Sequence, residues 1–260
     1  MRLITDIIRR MVMNEEIMEV ITTILTIAGI IAIIILVDRA ETKAKKAREQ
    51  EYYNSTYYII THNSYNDVYR DDGKWQEWQI AQKLAPYEQT GAKLLFNAYI
   101  PKYNGTTELD VIMITPYGLF VFESKNYSGW IFGNANQRNW VQVLRTGRYS
   151  SQKEYFYNPI KQNETHINCL RRLLRYNVPI HSVIVFSNRC EFRDVDIENA
   201  DVDVLHLRDA TYTVRYVYEH NQVRLNQDEI QELYDALYPY TQVSDEMKEA
   251  HIRQTKSYHQ

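Results

Sequence analysis

An uncharged apolar run near the N-terminus constrains this chain more than any other feature. Residues 20–37 read VITTILTIAGIIAIIILV and contain no charged residue and no proline. A helix of that length spans about 27 Å, close to the hydrocarbon thickness of a bilayer. The core helix of a soluble protein normally keeps a polar face, and a cleavable signal peptide has a shorter apolar region followed by small residues. The run therefore predicts one transmembrane helix at residues 20–37, after an extracytoplasmic segment at residues 1–19.

Basic residues on the two sides of this run predict its orientation. Three arginines precede the run and five basic residues follow it closely: Arg2, Arg9 and Arg10, then Arg39, Lys43, Lys45, Lys46 and Arg48. Because the more basic flank stays in the cytoplasm, we expect the C-terminal part to be cytoplasmic in a single-pass protein of the cell membrane. Residues 38–72 predict a charged helical stalk that passes into a linker rich in Tyr, Asn and Ser.

Charge is segregated along the rest of the chain. The formal net charge of −3 argues against a generic nucleic-acid binder. However, nine Lys and Arg residues face two acids between residues 125 and 175, whereas twelve acids face four arginines between residues 191 and 235. Two interpretations stay open, namely two ordinary solvated faces or a phosphate-binding surface beside an acidic one. The two cysteines have no CxxC spacing, which argues against a disulfide framework or a zinc site.

A helix and three strands are predicted at the start of the soluble part. The helix, Lys74–Leu84, places Glu77 on its apolar stripe, where a carboxylate needs a cationic partner or access to water. Runs of apolar and alternating residues predict the strands Leu94–Ile100, Leu109–Thr115 and Leu119–Lys125.

The last two strands are joined by the tight-turn sequence TPYG. If the turn is a two-residue loop, Thr115 pairs with Gly118, and the same register places Asp110 opposite Glu123. Lys125 then projects to the same face, because side chains two residues apart on a strand share a face. The two carboxylates repel each other unless a proton, Lys125 or a divalent cation offsets the repulsion. Closely spaced oxygen ligands suit magnesium or manganese; the alternative is an exposed hairpin face on which Lys125 pairs with Glu123.

Two further segments predict phosphate contacts. Residues 126–150 read as another hairpin, in which Arg138, Arg145 and Arg148 alternate with aromatic residues. Asn158 is a candidate cap for a helix over Ile160–Tyr176, whose first turn carries Lys161 and Gln162 and suits a phosphate group. His166 shares a face with Gln162, and its simplest interpretation is a partly exposed helix histidine. A buried strand, Ile180–Ser187, and a closing helix, Gln227–Leu237, follow.

The segments TELDVIMITPYGLFVFESKNYSGWIFGN and NPIKQNETHINCLRRLL resemble the nuclease-related (NERD) domain. This resemblance implies an α/β fold with a restriction-endonuclease-like, PD-(D/E)xK core, in which helices flank a central mixed β-sheet, preceded here by the transmembrane helix. The resemblance covers about Asp72 to Ser187. We place the domain at residues 73–190, a C-terminal extension at 191–240 and a polar, loosely ordered tail at 241–260.

The resemblance also implies a site and an activity. Five positions match the catalytic pattern of the family: Glu77, Asp110, Glu123, Lys125 and Gln162. Asp110 and Glu123 are expected to bind Mg²⁺ or Mn²⁺, with Glu77 in support, for hydrolysis of DNA phosphodiester bonds. Phosphate contacts are expected from basic residues at and beyond the second hairpin: Arg138, Arg145, Arg148, Lys161 and Arg171. One departure is Gln76, where the family usually has glycine. The alternatives are a non-catalytic nucleic-acid-binding domain and a protein-interaction domain on the same fold.

Overall fold

A computed structural model describes residues 2–174, 177–198 and 200–258, which form two units. The first unit ends at Glu51 and the second begins at Tyr52. Two residues named in the sequence analysis lie outside the described residues. They are Tyr176, the predicted end of the helix that begins at Ile160, and Arg175 of the basic stretch.

The first unit is the greater part of one continuous helix, α1, Arg2–Tyr53. Within the described residues, this is the one helix long and apolar enough to cross a bilayer. Its polar side chains in the apolar run are internally bonded, because the hydroxyls of Thr22 and Thr26 donate to the carbonyls of Met18 and Thr22. The helix predicted at residues 20–37 and the helical stalk after it are therefore both part of α1.

The second unit is a mixed α/β domain. Its helices are α2 Thr56–Thr61, α3 Tyr65–Arg70, α4 Asp72–Glu88, α5 Pro159–Leu173, α6 Tyr212–His220, α7 Gln227–Leu237 and α8 Asp245–Tyr258, with short 3-10 turns at Leu207–Asp209 and Tyr238–Thr241. Its strands are β1 Lys93–Lys102, β2 Gly105–Thr115, β3 Gly118–Lys125, β4 Gly129–Asn134, β5 Asn139–Arg145, β6 Ser151–Tyr157, β7 Ile180–Phe186, β8 Cys190–Asp196 and β9 Asp203–His206.

The strands form two mixed sheets. The first has the order β1-β2-β3-β7-β9, in which the first three strands are antiparallel and the last three are parallel. The second has the order β6-β5-β4-β8, with only the β4–β8 pair parallel. Helices flank the sheets, as the resemblance implied.

The β2–β3 hairpin has the predicted register, with Thr115 paired to Gly118. Gly118 adopts a φ of +125°, and a Cβ at that position would collide with the carbonyl oxygen of Pro179. Glycine is therefore required by both the turn and the neighbouring chain. Consecutive β3 residues are buried from Gly118 to Glu123, so the strand is covered on both faces.

The segment between α1 and α4 differs from the expected linker. Residues 56–70 form α2 and α3, and the hydroxyls of Ser55 and Ser64 cap these two helices. Tyr57, Ile60 and Val68 are buried in the main core. The Tyr-rich composition thus reflects packing of aromatic side chains rather than an irregular lead-in.

The second sheet has a core of its own, in which Ile131 and Trp140 pack against Ile184 and Phe186 of β7. The β4–β5 hairpin was expected from the sequence, whereas β6 and β8 were not. The polar segment predicted as a loosely ordered tail forms α8 over most of its length.

Candidate functional site

The C-terminal end of β3 brings together Glu123 and Lys125, whose Nζ and Oε1 atoms lie 2.6 Å apart. Glu123 is 1% exposed, so this ion pair is deeply buried on the carboxylate side. The two side chains share a face because one residue, Ser124, separates them on the strand.

Asp110 lies at the point where the pairing of β2 with β3 ends. The last pair in this register is Val111 with Phe122, and continuing the register by one step places Asp110 opposite Glu123. The Asp110 carboxylate accepts a hydrogen bond of 2.7 Å from the backbone N–H of Ser124. Its side chain thus replaces a backbone acceptor at the end of the ladder and is fixed beside the Glu123–Lys125 pair.

Helix α5 contributes two side chains from one face. Asn158 caps its N-terminus by accepting from the N–H of Ile160. Gln162 Oε1 accepts a hydrogen bond of 3.0 Å from Lys125 Nζ, and one turn later His166 Nε2 lies 3.0 Å from Glu123 Oε2. The other ring nitrogen of His166 lies 2.7 Å from the hydroxyl of Thr107.

The expectation that His166 is partly exposed was therefore wrong, since the residue is only 5% exposed. The face of α5 that carries Gln162 and His166 packs against the first sheet, and Asn163 anchors it by donating to the carbonyl of Val121. The spacing of four residues identified the shared face, but only tertiary packing buries it.

Glu77 comes to this region from α4 and is held by two donors. Its Oε2 accepts from Asn97 Nδ2 at 3.0 Å and from the Tyr57 hydroxyl at 3.1 Å. Asn97 has a φ of +50° within β1. It lies between the pairs Phe96–Val111 and Ala98–Leu109, which places it beside Asp110 on the neighbouring strand. Asparagine tolerates this left-handed conformation better than most residues.

Glu108 is a further carboxylate near the site and does not belong to the predicted catalytic pattern. It lies two residues before Asp110 on β2 and shares its face. Tyr99 donates to Glu108 Oε1 at 2.9 Å, and His251 Nε2 from α8 lies 3.9 Å from Oε2. The ELD spacing in β2 was the available signal, because it predicts two acids on one face of a strand.

Burial and mutual repulsion raise the pKa values of Asp110 and Glu77. Burial, reinforced by the charges of Glu123 and Glu77, holds the pKa of Asp110 well above its usual range, although Lys125 opposes the shift. Burial also raises the pKa of Glu77 to about 7, against the effect of its hydrogen bonds from Asn97 and Tyr57.

In the ion pair of Glu123 and Lys125, the pKa of each group shifts in the direction that favours its charged form. Burial alone would raise the pKa of Glu123, but Lys125 and His166 outweigh it and lower that pKa. Burial alone would lower the pKa of Lys125, but the charges of Glu123 and Asp110 outweigh it and raise that pKa. The repulsion predicted between the opposed acids is thus offset by Lys125 at Glu123, whereas at Asp110 it contributes to the raised pKa.

One buried carboxylate oxygen of the site is incompletely bonded. Glu123 Oε2 is close to His166 but lacks a well-aligned hydrogen bond. No three His, Cys, Asp or Glu side chains of the described residues lie close enough to form a complete metal cage. Mg²⁺ is commonly bound by one or two carboxylates, with water and substrate phosphate completing its coordination. The acids Asp110 and Glu123 fit that kind of site.

The predicted phosphate-binding residues do not form one patch. Arg138, Arg145 and Arg148 are exposed on the second sheet. Arg138 directly precedes β5 and Arg145 is its last residue, which places the two about 23 Å apart along an extended strand. They therefore cannot contact the same phosphate group.

Lys161 and Arg171 line a separate cleft of about 440 Å³ beside α5. The same cleft is lined by Glu164, Glu198 and Asp201. Because acids surround these two basic residues, their attraction for a phosphate is weaker than the sequence implied.

Comparison with known proteins agrees with the resemblance seen in the sequence. Residues 72–187 match the family described as the nuclease-related domain. The chain is also similar to an uncharacterized protein of Bacillus anthracis, with 27% identity over 182 residues, or 70% of this chain and 82% of the relative. No solved structure matches it. The five residues of the predicted catalytic pattern all lie within the matched range. Residues 72–187 of this chain are therefore similar to the nuclease-related domain.

Proposed function

We propose that this protein is a divalent-metal-dependent nuclease that hydrolyses DNA phosphodiester bonds and is anchored in the cell membrane by α1. The observation that carries the proposal is the meeting of Asp110, in the middle of β2, with Glu123 and Lys125 at the C-terminal end of β3. A nuclease-related domain at residues 72–187 supports it. A binding domain without catalysis has no need for buried acids close to a phosphate.

Asp110 and Glu123 would hold Mg²⁺ or Mn²⁺, with Glu77 as a supporting acid beside them that does not bind the ion. When bound, such a cation supplies positive charge opposite the negative charge that develops on the phosphate in the transition state. Because the pKa of Asp110 is raised, the cation and the proton compete for this carboxylate.

Lys125 acts in this proposal as a charged hydrogen-bond donor. Its raised pKa keeps the amine protonated, so it does not take the proton of the attacking water. Glu123 and Gln162 hold Nζ in place, from where it orients water and stabilises negative charge on the phosphate.

Glu77 is the better candidate for accepting that proton. A general base is most effective when its pKa lies near the working pH, and the pKa of Glu77 is raised to about 7. Both of its hydrogen bonds go to Oε2, so Oε1 is the atom that would take the proton.

The test of the activity is a cleavage assay on labelled DNA and RNA, with Mg²⁺, Mn²⁺ or EDTA. We expect wild-type protein to cleave DNA only with a metal, and D110N and K125M to lose activity by about 1,000-fold or more. Glu219 is exposed on α6, so E219Q is the matched control and should remain active. DNA binding without cleavage would instead support the non-catalytic alternative, and preferential cleavage of RNA would correct the substrate.

The anchoring part of the proposal has its own test. The exposed apolar surface of α1 supports insertion into a bilayer, and the five basic residues after the run favour a cytoplasmic domain. Full-length protein should remain in membranes after alkaline carbonate extraction, whereas a chain lacking residues 1–51 should be released. Membrane retention of the shortened chain would contradict the anchor, and protease accessibility in inverted vesicles checks the orientation.

A further inference from the structure

The outer half of the β5–β6 hairpin, residues 144–155, extends from the packed body of the domain. β6 is the edge strand of the second sheet. Its first five residues, Ser151 to Tyr155, are all exposed, although successive side chains on a strand point to opposite faces. Neither face of this half is therefore covered, and we call residues 144–155 the β-arm.

The β-arm is positively charged in a chain that is negative as a whole. It carries Arg145, Arg148 and Lys153 against one acid, Glu154. The carboxylate of Glu154 is hydrogen-bonded within the β-arm, because its Oε1 accepts from the side-chain amide of Gln152. A local excess of positive charge on an exposed ribbon favours a polyanionic partner.

Two tyrosines of the β-arm are almost fully open to solvent. Tyr149 is 91% and Tyr155 is 70% exposed. The guanidinium of Arg148 lies 5.5 Å from the ring centre of Tyr149. The register of β5 with β6 places Tyr155 on the same face as Lys153 and Arg145. Aromatic rings between cations are the combination that binds bases and phosphates of an unpaired strand.

The base of the β-arm lies next to the candidate catalytic residues. Tyr127 follows Lys125 by two residues, and its ring centre is 4.2 Å from that of Phe156, the neighbour of Tyr155. On the adjacent strand, Trp140 stacks on Phe186, which is the Cα partner of Lys125 in the first sheet. The base of the β-arm is thus packed near Lys125 through one face of the ribbon, while Tyr155, Lys153 and Arg145 lie on its opposite face.

We propose that the β-arm binds single-stranded nucleic acid, with Tyr149 and Tyr155 stacking on unpaired bases and Arg145, Arg148 and Lys153 contacting phosphates. This inference rests on the proposed function and specifies its substrate as an unpaired or frayed strand. A duplex offers phosphates to the basic residues but keeps its base faces stacked. The tyrosines therefore distinguish the two forms, whereas the basic residues serve both.

The test measures binding by fluorescence anisotropy, using full-length protein in a neutral detergent with EDTA. The probes are a labelled single strand of about 16 nucleotides and a hairpin duplex of the same length. We expect Y149A/Y155A to weaken single-strand binding about 10-fold or more and duplex binding less than 2-fold, with Y149F/Y155F close to wild type. R145A/R148A/K153A should weaken both and lower the slope of log affinity against log salt by about 2.

Helix α6 supplies a matched control, because Tyr212 and Tyr216 are also exposed, at 48% and 52%. Y212A/Y216A should bind both probes like wild type. An equal loss in this control, an equal loss on both probes for Y149A/Y155A, or no loss at all would overturn the inference. Cleavage is scored separately, so an inactive protein whose β-arm binds single strands contradicts only the proposed function.

Discussion

The hydroxyl of Tyr57 donates a 3.1 Å hydrogen bond to Glu77 Oε2 and thereby ties α2 to a candidate catalytic carboxylate on α4. Tyr57 is fully buried, and its ring also packs edge-on against Phe96 of β1. It lies before residue 72, where the match to the nuclease-related domain begins. Helix α2, which follows α1 in the sequence, therefore helps to position the site, although it lies outside the matched region.

Replacing this tyrosine by phenylalanine tests the connection. The hydrogen bond from Tyr57 lowers the pKa of Glu77, so Y57F should raise that pKa further above 7. We expect the acidic limb of the pH–rate profile to move up by about half a unit to one unit, with less than about 1 kcal/mol lost in unfolding free energy. Y58F is the control, and equal shifts in both variants would show that the hydroxyl of Tyr57 has no specific role.

Asp110 and Glu123 should respond differently to neutralisation. The sequence alone predicts that replacing either acid relieves their repulsion and leaves the thermal stability unchanged or raised. In the structure, burial and the charges of Glu123 and Glu77 raise the pKa of Asp110, so removing its charge in D110N relieves repulsion and should leave the melting temperature almost unchanged. Glu123 is ionised and bonded to Lys125, so E123Q leaves a buried ammonium uncompensated at a cost of about 3 kcal/mol, or about 6–12 °C in Tm.

Calorimetry of the two variants in EDTA checks this difference. The double variant E123Q/K125M removes both charges and should recover much of the stability that E123Q loses. A loss of stability in D110N as large as that in E123Q would mean that Asp110 is a structural anion instead.

The stability of the metal-free protein should depend on pH through Glu77. Its folded pKa of about 7 exceeds the ordinary value of 4.5, so the folded state binds the proton more tightly than the unfolded state. This contribution is fully present below pH 4.5 and is lost as the pH rises through 7. We therefore expect the Tm in EDTA to fall between about pH 6 and 8, by several degrees for a loss on the order of 1–3 kcal/mol.

Two comparisons check the origin of this pH dependence. E77Q should flatten the slope, because it carries no titrating group. Added Mg²⁺ should raise the Tm more at pH 8 than at pH 6, since proton and cation compete for the acids. An unchanged slope in E77Q would assign the dependence to other groups.

The parts of the site that rest on local pattern were predictable from the sequence. The tight turn after Thr115 sets the β2–β3 register, and alternation on the strands then places Asp110, Glu123 and Lys125 on one face. Likewise, an N-cap and helical spacing located Gln162 on α5.

The parts that depend on long-range packing were not predictable. Tyr57 and Asn97 reach Glu77 from elements 20 residues away on either side. Similarly, β8 pairs with β4 although β5, β6, α5 and β7 lie between them in the sequence. Because β8 is acidic and mostly exposed, its sequence alone indicates a solvated segment. No periodicity within a short window encodes such pairings.

His166 provides a last prediction, because it lies between Thr107 and Glu123 without belonging to the predicted catalytic pattern. Its contact fixes the orientation of the Glu123 carboxylate, and such partners of metal ligands commonly change metal affinity by about 10–100-fold. H166A should therefore weaken Mn²⁺ binding about 10-fold or more, measured by the loss of free Mn²⁺ signal in electron paramagnetic resonance. H166N, which keeps a polar side chain, should recover part of the affinity. The exposed His220 is the control, and H220A should bind Mn²⁺ normally. If H166A instead lowers the Tm while Mn²⁺ affinity stays at the wild-type value, His166 only supports the packing of α5.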